Sequence, residues 1–228
     1  MSFLGIKVPN EITRLLSEVD IPGEKVPRDQ MHITMCYVGK ETPVETLVRV
    51  ILATYEVTSQ TKPFTVRTSQ VTSFPANPDD GVPIIARIES NELHRLRKGV
   101  VESLQRNKVP FSNKYPDYKP HVTLGYSKDV GVDSDKAADK DIPPIEWGVG
   151  ELVLWGGDAG DDKLVVTFPL SLNMSKEAIY RAIVRFASLR KGHDAEGKCD
   201  ASCPCHDDPM VHKVAARFQQ VYFPQGRR

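Results

Sequence analysis

Apolar and polar residues alternate with period two in several short runs and recur every three to four residues between them, the signatures of half-buried strands and amphipathic helices. Residues Phe3 to Val8 read as a strand. Ile12, Leu15, Leu16 and Val19 follow at helical spacing, with Asn10 placed to cap that helix. A Pro/Gly-marked loop over 21–27 leads into a strand at about 31–38, and Pro43 opens a helix with Val44, Leu47, Val48, Ile51, Leu52 and Tyr55 on its apolar side. Phe64 to Phe74 alternates like another half-buried strand, before a turn marked by Pro75, Pro78 and Gly81.

From Val82 the order repeats in pattern, though not in identity. Val82 to Ile88 reads as a strand, Ser90 caps a helix carrying Leu93, Leu96, Val100, Val101 and Leu104, and a tyrosine-bearing loop precedes a strand that starts near Pro120. Units of this kind predict parallel strands joined by helical crossovers. Val149 to Trp155 and Leu164 to Leu170, joined by a Gly/Asp-rich turn, predict an antiparallel hairpin instead. The predicted fold class is α+β: two pseudo-symmetric strand-helix-strand lobes, about 1–80 and 81–172, around a central cleft. Residues 127–144, rich in Asp, Lys and Ser, read as a solvated loop. The texture changes after Leu172, where a helix to about Lys191, a Cys/His loop and a helix from Pro209 to about Tyr222 form a C-terminal extension over 173–228.

Composition narrows the function classes. A chain of 228 residues, 40% hydrophobic and 26% charged, can bury a substantial core. Thirty basic residues balance thirty acidic ones, which argues against a protein coating long duplex nucleic acid but permits a small anion in a local pocket. No stretch approaches the roughly 20 apolar residues of a membrane span, and the start of the chain lacks the pattern of a signal peptide, so a cytoplasmic protein is expected. Three of the four cysteines crowd between Cys199 and Cys205, unlike a disulfide framework.

The candidate chemistry lies in His32-Ile33-Thr34 and His121-Val122-Thr123, at the same point of each repeat. On a strand, the histidine and threonine of each motif share one face, and the apolar residues between and around them share the other. Histidine can take and give a proton near neutrality, so two facing one bond can serve as general base and general acid. A threonine hydroxyl can donate to a phosphate oxygen that gains charge in the transition state. One such motif is common, and a lone strand histidine is more often structural than catalytic. Two at matching points, each followed by a tyrosine (Tyr37, Tyr126), favour chemistry. Both imidazoles should then reach one phosphate, within roughly 4 to 8 Å of each other.

At these residues the chain resembles the 2H phosphoesterase superfamily, named for two His-x-Thr/Ser motifs, over about residues 1–172. The resemblance implies a bilobal fold, metal-independent phosphodiester chemistry, His32 and His121 as acid and base, and Thr34 and Thr123 holding phosphate. Members include 2′-5′ RNA ligase/cyclic phosphodiesterase-like enzymes and phage proteins that degrade cyclic oligonucleotide signals of bacterial immunity. The stretch Tyr118-Lys119-Pro120-His121-Val122-Thr123 is similar to what the phage members carry. The expected activity is a phosphodiesterase on a small nucleotide or cyclic oligonucleotide. Its rivals are an enzyme processing 2′,3′-cyclic phosphate or 2′-5′ linkages at RNA ends, and a protein that sequesters a nucleotide without cutting it.

Around the motifs, Tyr115 and Tyr118 are candidates to stack on a nucleobase, or else to pin their loop. Lys119, Lys114 and Arg28 are candidates to offset phosphate charge. Alternation places Cys36 on the histidine face as a small packing residue, and His94 falls on the outer side of its helix. The scheme requires no cofactor. In the extension, Cys199, Cys203, Cys205 and His206 offer the ligands of a closed structural zinc site, without paired C-x2-C spacing; reduced cysteines in a loop are the competing reading.

Overall fold

The computed structural model describes residues 2–39, 42–77, 80–112, 117–128, 140–156 and 163–171. The extension over 173–228, with its two expected helices and Cys/His cluster, lies outside the described residues. Three helices form where the 3.6-residue period was read: α1 (Asn10–Glu18), α2 (Val44–Thr58) and α3 (Asn91–Arg106). Ser90 caps α3, its hydroxyl accepting from the Leu93 amide at 3.3 Å. Asn10 is instead the first residue of α1, and the Pro9 carbonyl opens that helix by accepting from the Thr13 amide at 2.9 Å.

The strands are β1 (Ser2–Lys7), β2 (Glu24–Lys25), β3 (His32–Gly39), β4 (Phe64–Ser73), β5 (Val82–Glu89), β6 (His121–Ser127), β7 (Lys140–Asp141), β8 (Glu146–Val149), β9 (Glu151–Gly156) and β10 (Lys163–Pro169). They make one sheet in the order β10-β9-β1-β3-β6-β5-β4-β7, with β2 on β6 and β8 on β4. The expected β9–β10 hairpin forms. The expected parallel crossovers do not: β1 and β3 pair antiparallel, as do β5 and β6. α1 and α3 are each followed by a long connection, 19–31 and 107–120, and the next strand then begins back at the starting end.

The sheet also divides differently from the contiguous lobes expected over 1–80 and 81–172. Strand β4 covers the open edge of β5, and β9, from late in the chain, covers the open edge of β1. Unpaired edges present rows of unmet N–H and C=O groups, and these exchanges cover both. The run expected as one strand from Val149 to Trp155 is broken at Gly150, with β8 pairing β4 and β9 pairing β1. One residue thus joins strands on opposite flanks of the order, so the sheet curls and brings those flanks together. Part of the expected 127–144 loop is structured: Lys140 and Asp141 extend the sheet at β4.

The main core lies on one face, where α2 and α3 pack against each other and against the sheet. Leu4, Ile6, Ile33, Ile84, Val122 and Leu154 enter it from the strands, and Leu47, Ile51, Leu96 and Val100 from the helices. Phe3, Ile85 and Val153 are buried but stand outside that cluster, on the opposite face. Among the described residues no helix is long and apolar enough to cross a membrane.

Gly125 is where β2 reaches β6, and a Cβ there would collide with the Glu24 carbonyl oxygen and the Ile21 side chain. Gly125→Ala is expected to destabilise the fold by about 1–3 kcal/mol, read as a lowered Tm. Gly148, with nothing within 4 Å of an added Cβ, is the control, and Gly148→Ala should stay within about 0.5 kcal/mol of the parent chain.

Candidate active site

Strands β3 and β6 are paired through a single residue pair, Ile33 opposite Val122. These are the middle residues of the two His-x-Thr motifs, and both are 0% exposed in the main core. Side chains alternate across a strand, so His32, Thr34, His121 and Thr123 all point to the other face. Antiparallel register about Ile33–Val122 sets His32 beside Thr123 and Thr34 beside His121, a local two-fold arrangement. The two histidines are then diagonal neighbours, about 7–8 Å apart in ordinary antiparallel geometry.

The histidines are held alike. The His32 Nδ1 lies 2.7 Å from the Gln30 carbonyl oxygen, and the His121 Nδ1 lies 2.7 Å from that of Lys119. A carbonyl only accepts, so each Nδ1 carries the proton and donates it, which leaves Nε2 as the basic nitrogen of each neutral ring. Aromatic walls fix the planes. Phe3 lies 4.8 Å from the His32 ring and Trp155 5.6 Å, while Phe74 meets His121 edge-on at 4.8 Å. Burial lowers the pKa of His121; the Lys119 carbonyl opposes that shift, and the nearby charge of His32 adds to it.

Each motif is followed by a β-bulge. The β1–β3 register shifts between Leu4 and Gly5, leaving Met35 as the extra residue, and the β5–β6 register shifts between Ile84 and Ile85, leaving Leu124. The bulge reverses the alternation downstream. Cys36 therefore enters the main core instead of joining the histidine face, and burial pushes its thiol up to about 11. Tyr37 and Tyr126, each five residues past its histidine, come onto the motif face in its place. Tyr37 is 39% exposed. Tyr126 is hydrogen bonded to the Thr123 side chain, and burial, then Asp80, then Tyr37 raise its pKa.

Other candidates divide. Tyr118 stands three residues before His121, an odd offset, and packs against the main core with the Arg97 guanidinium 4.6 Å from its ring and His94 edge-on at 5.5 Å. It pins the loop to α3 rather than joining the motif face, and its hydroxyl is buried without a partner among the described residues. Lys119 is exposed and supplies the carbonyl that orients His121. Arg28 donates to the Asn10 carbonyl at 3.2 Å. Tyr115, Lys114 and the Cys199, Cys203, Cys205 and His206 cluster lie outside the described residues, among which no group of three or more candidate metal ligands occurs. Residues that the sequence reading passed over are Phe3, Phe74 and Trp155, which wall the histidines. Lys7 and Arg87 are two more, paired across the sheet with His32 and His121. Their signal is strand register, which one-dimensional pattern does not carry.

A family model described as the 2′-5′ RNA ligase superfamily matches residues 9–161. Among curated proteins, none matches. Among solved structures the chain is similar to TT0787 of Thermus thermophilus, at 22% identity and TM-score 0.58, covering 76% of this chain and 99% of that one. It is similar to E. coli LigT complexed with 3′-AMP, at 20% identity and TM-score 0.54, covering 75% and 98%. LigT complexed with ATP gives 19% identity and TM-score 0.51, over the same shares of 75% and 98%. At these identities the likeness is one of fold.

Coupling between the two rings can be read by NMR. Because the His32 charge is one cause of the lowered His121 pKa and burial the larger one, His32→Ala should move the His121 titration upward without restoring its ordinary value. Folding that lowers this pKa leaves the native state with fewer bound protons. The His121 contribution to stability is accordingly expected to fall as pH drops below its unfolded value of about 6.5, and a His121→Asn chain should show a flatter acid limb in denaturant melts.

Proposed function

The chain belongs to the 2′-5′ RNA ligase superfamily, the 2H phosphoesterases, a family of phosphodiesterase hydrolases, and from that membership we propose that His32 and His121 cut a phosphodiester of a small nucleotide. The observation that carries the reading is the Ile33–Val122 pairing, which sets two histidines and two threonines on one face around one point. His121, held neutral by burial, takes a proton from water through Nε2. The water oxygen attacks phosphorus, the bond from phosphorus to the leaving oxygen breaks, and protonated His32 gives its proton to that oxygen. One diester and one water become a monoester and an alcohol. Thr34 and Thr123 donate to the non-bridging oxygens, where charge grows in the transition state.

The nucleotide complexes of LigT, with 3′-AMP and ATP, support a ligand of this class. Within it, a cyclic oligonucleotide and an RNA end bearing a 2′,3′-cyclic phosphate are the two substrate groups to compare. Similarity of the Tyr118 to Thr123 stretch to phage members favours the first. Incubation with cyclic di- and trinucleotides, 2′,3′-cyclic nucleotides and 2′-5′-linked dinucleotides, with products identified by mass spectrometry, separates them. Recovery of every substrate intact would overturn the reading and leave sequestration.

His32→Ala and His121→Ala are each expected to lower kcat by about 10²- to 10⁴-fold, with circular dichroism unchanged. Wild-type rates in both variants would sink the assignment. The pH dependence of kcat/KM should be bell-shaped, because the base must be neutral and the acid protonated. Its acid limb should lie below about 6.5 and vanish in His121→Ala. As no step is assigned to a metal, EDTA should leave the rate unchanged.

A further inference from the structure

The strand register carries a feature that the four-residue centre does not use. Lys7 of β1 is paired with His32, and Arg87 of β5 is paired with His121. Residues directly opposite in an antiparallel pair share a face, so both cations stand on the motif face. Both are exposed, and neither is ion-paired among the described residues. Glu89, two residues along the same face from Arg87, is engaged by Arg67 at 2.7 Å. Across β1, β3, β6 and β5 the face therefore carries two antiparallel rows, Lys7–His32–Thr123 and Arg87–His121–Thr34, related by the local two-fold at Ile33–Val122.

Strand spacing sets the scale. At about 4.8 Å per strand, β1 and β5 stand about 14 Å apart. A phosphate centred between the histidines is thus flanked on both sides by a cation one strand farther out, and the length of those side chains lets them serve a phosphate next to the scissile one.

Resting on the reading above, we propose that Lys7 and Arg87 bind phosphates adjacent to the scissile one, so that the preferred substrate carries at least one further phosphate beside the diester that is cut. The two residues are positioning groups outside the acid–base pair.

The test uses the full chain and matched substrates: 2′,3′-cyclic nucleotides and 2′-5′- and 3′-5′-linked dinucleotides, each with and without a 5′-phosphate. Wild-type kcat/KM should be about tenfold higher for the phosphorylated member of the productive pair. In Lys7→Ala or Arg87→Ala that preference should collapse, mainly through KM, while kcat on the unphosphorylated member stays within about twofold. Lys7→Arg and Arg87→Lys should restore it in part. Added salt should lower kcat/KM on the phosphorylated member less steeply in either alanine variant than in the wild-type chain. Equal turnover of both members by the wild-type chain, or equal losses on both in the variants, overturns the proposal while the phosphodiesterase reading stands. No turnover of any substrate overturns that reading, and this proposal with it.

Discussion

One backbone pairing, Ile33 with Val122, determines what the rest of the sheet can present. Both side chains are completely buried, and burying each stabilises the fold by roughly 1.5–3 kcal/mol. That apolar pair holds the register against slippage. A slip of one residue in either strand would turn its apolar centre out of the core and its histidine and threonine into it, so the same burial that joins β3 to β6 also keeps the histidines on one face. Edge coverage completes the constraint: β9 and β10 on one flank and β4 with β8 on the other leave β3 and β6 as the central pair. The chain passes between the flanks at Gly150, so neither half of the sheet can move far without the other.

The local two-fold extends further than the motif. Each histidine donates from Nδ1 to a carbonyl two residues upstream, each has a phenylalanine against its ring, each has a cation opposite it on the outer strand, and each motif is followed by a bulge that delivers a tyrosine. Such order removes rotational freedom from the imidazoles before any ligand arrives, and little entropy is then left to lose on binding. A charge on His32 also opposes a proton on His121. Paired acid–base chemistry uses one neutral and one protonated ring.

Much of this was legible in the sequence, and the failures have definite causes. Period-two alternation placed His32, Thr34, His121 and Thr123 on one face, because all four precede the bulges. Cys36 was misplaced because a bulge adds one residue without altering composition, and each bulge here lies in an apolar run, Met35-Cys36 and Leu124-Gly125. Antiparallel pairing across α1 and α3 escaped a reading that took the helices as crossovers, since the deciding feature is the long return loop after each. The break at Gly150 separates two halves of one apolar run, which alternation alone reads as continuous. Tyr118 could have been placed by counting, as three residues of extended chain before His121 put it on the core side.

Symmetry at the centre raises the question of what assigns direction, because a perfect two-fold site would let either histidine act as base. The surroundings differ where the centre does not. Against His32 stands a broad aromatic surface, Phe3 stacked on Trp155 at 5.0 Å with Tyr37 beside it at 5.9 Å; against His121 stands one phenylalanine edge. Gly5 leaves the room that the Trp155 ring occupies, because a Cβ there would press on it and on the Ile33 carbonyl. On the other side, β2 lies along β6 at Gly125 and Tyr126, and Tyr126 is turned to Thr123. An apolar shelf suits the flat face of a base, and a hydroxyl-lined wall suits a sugar or phosphate. The two walls therefore differ in chemistry although the centre is symmetric, and burial lowers the pKa of His121 in particular, so the asymmetry needed to tell one histidine from the other lies in what surrounds them.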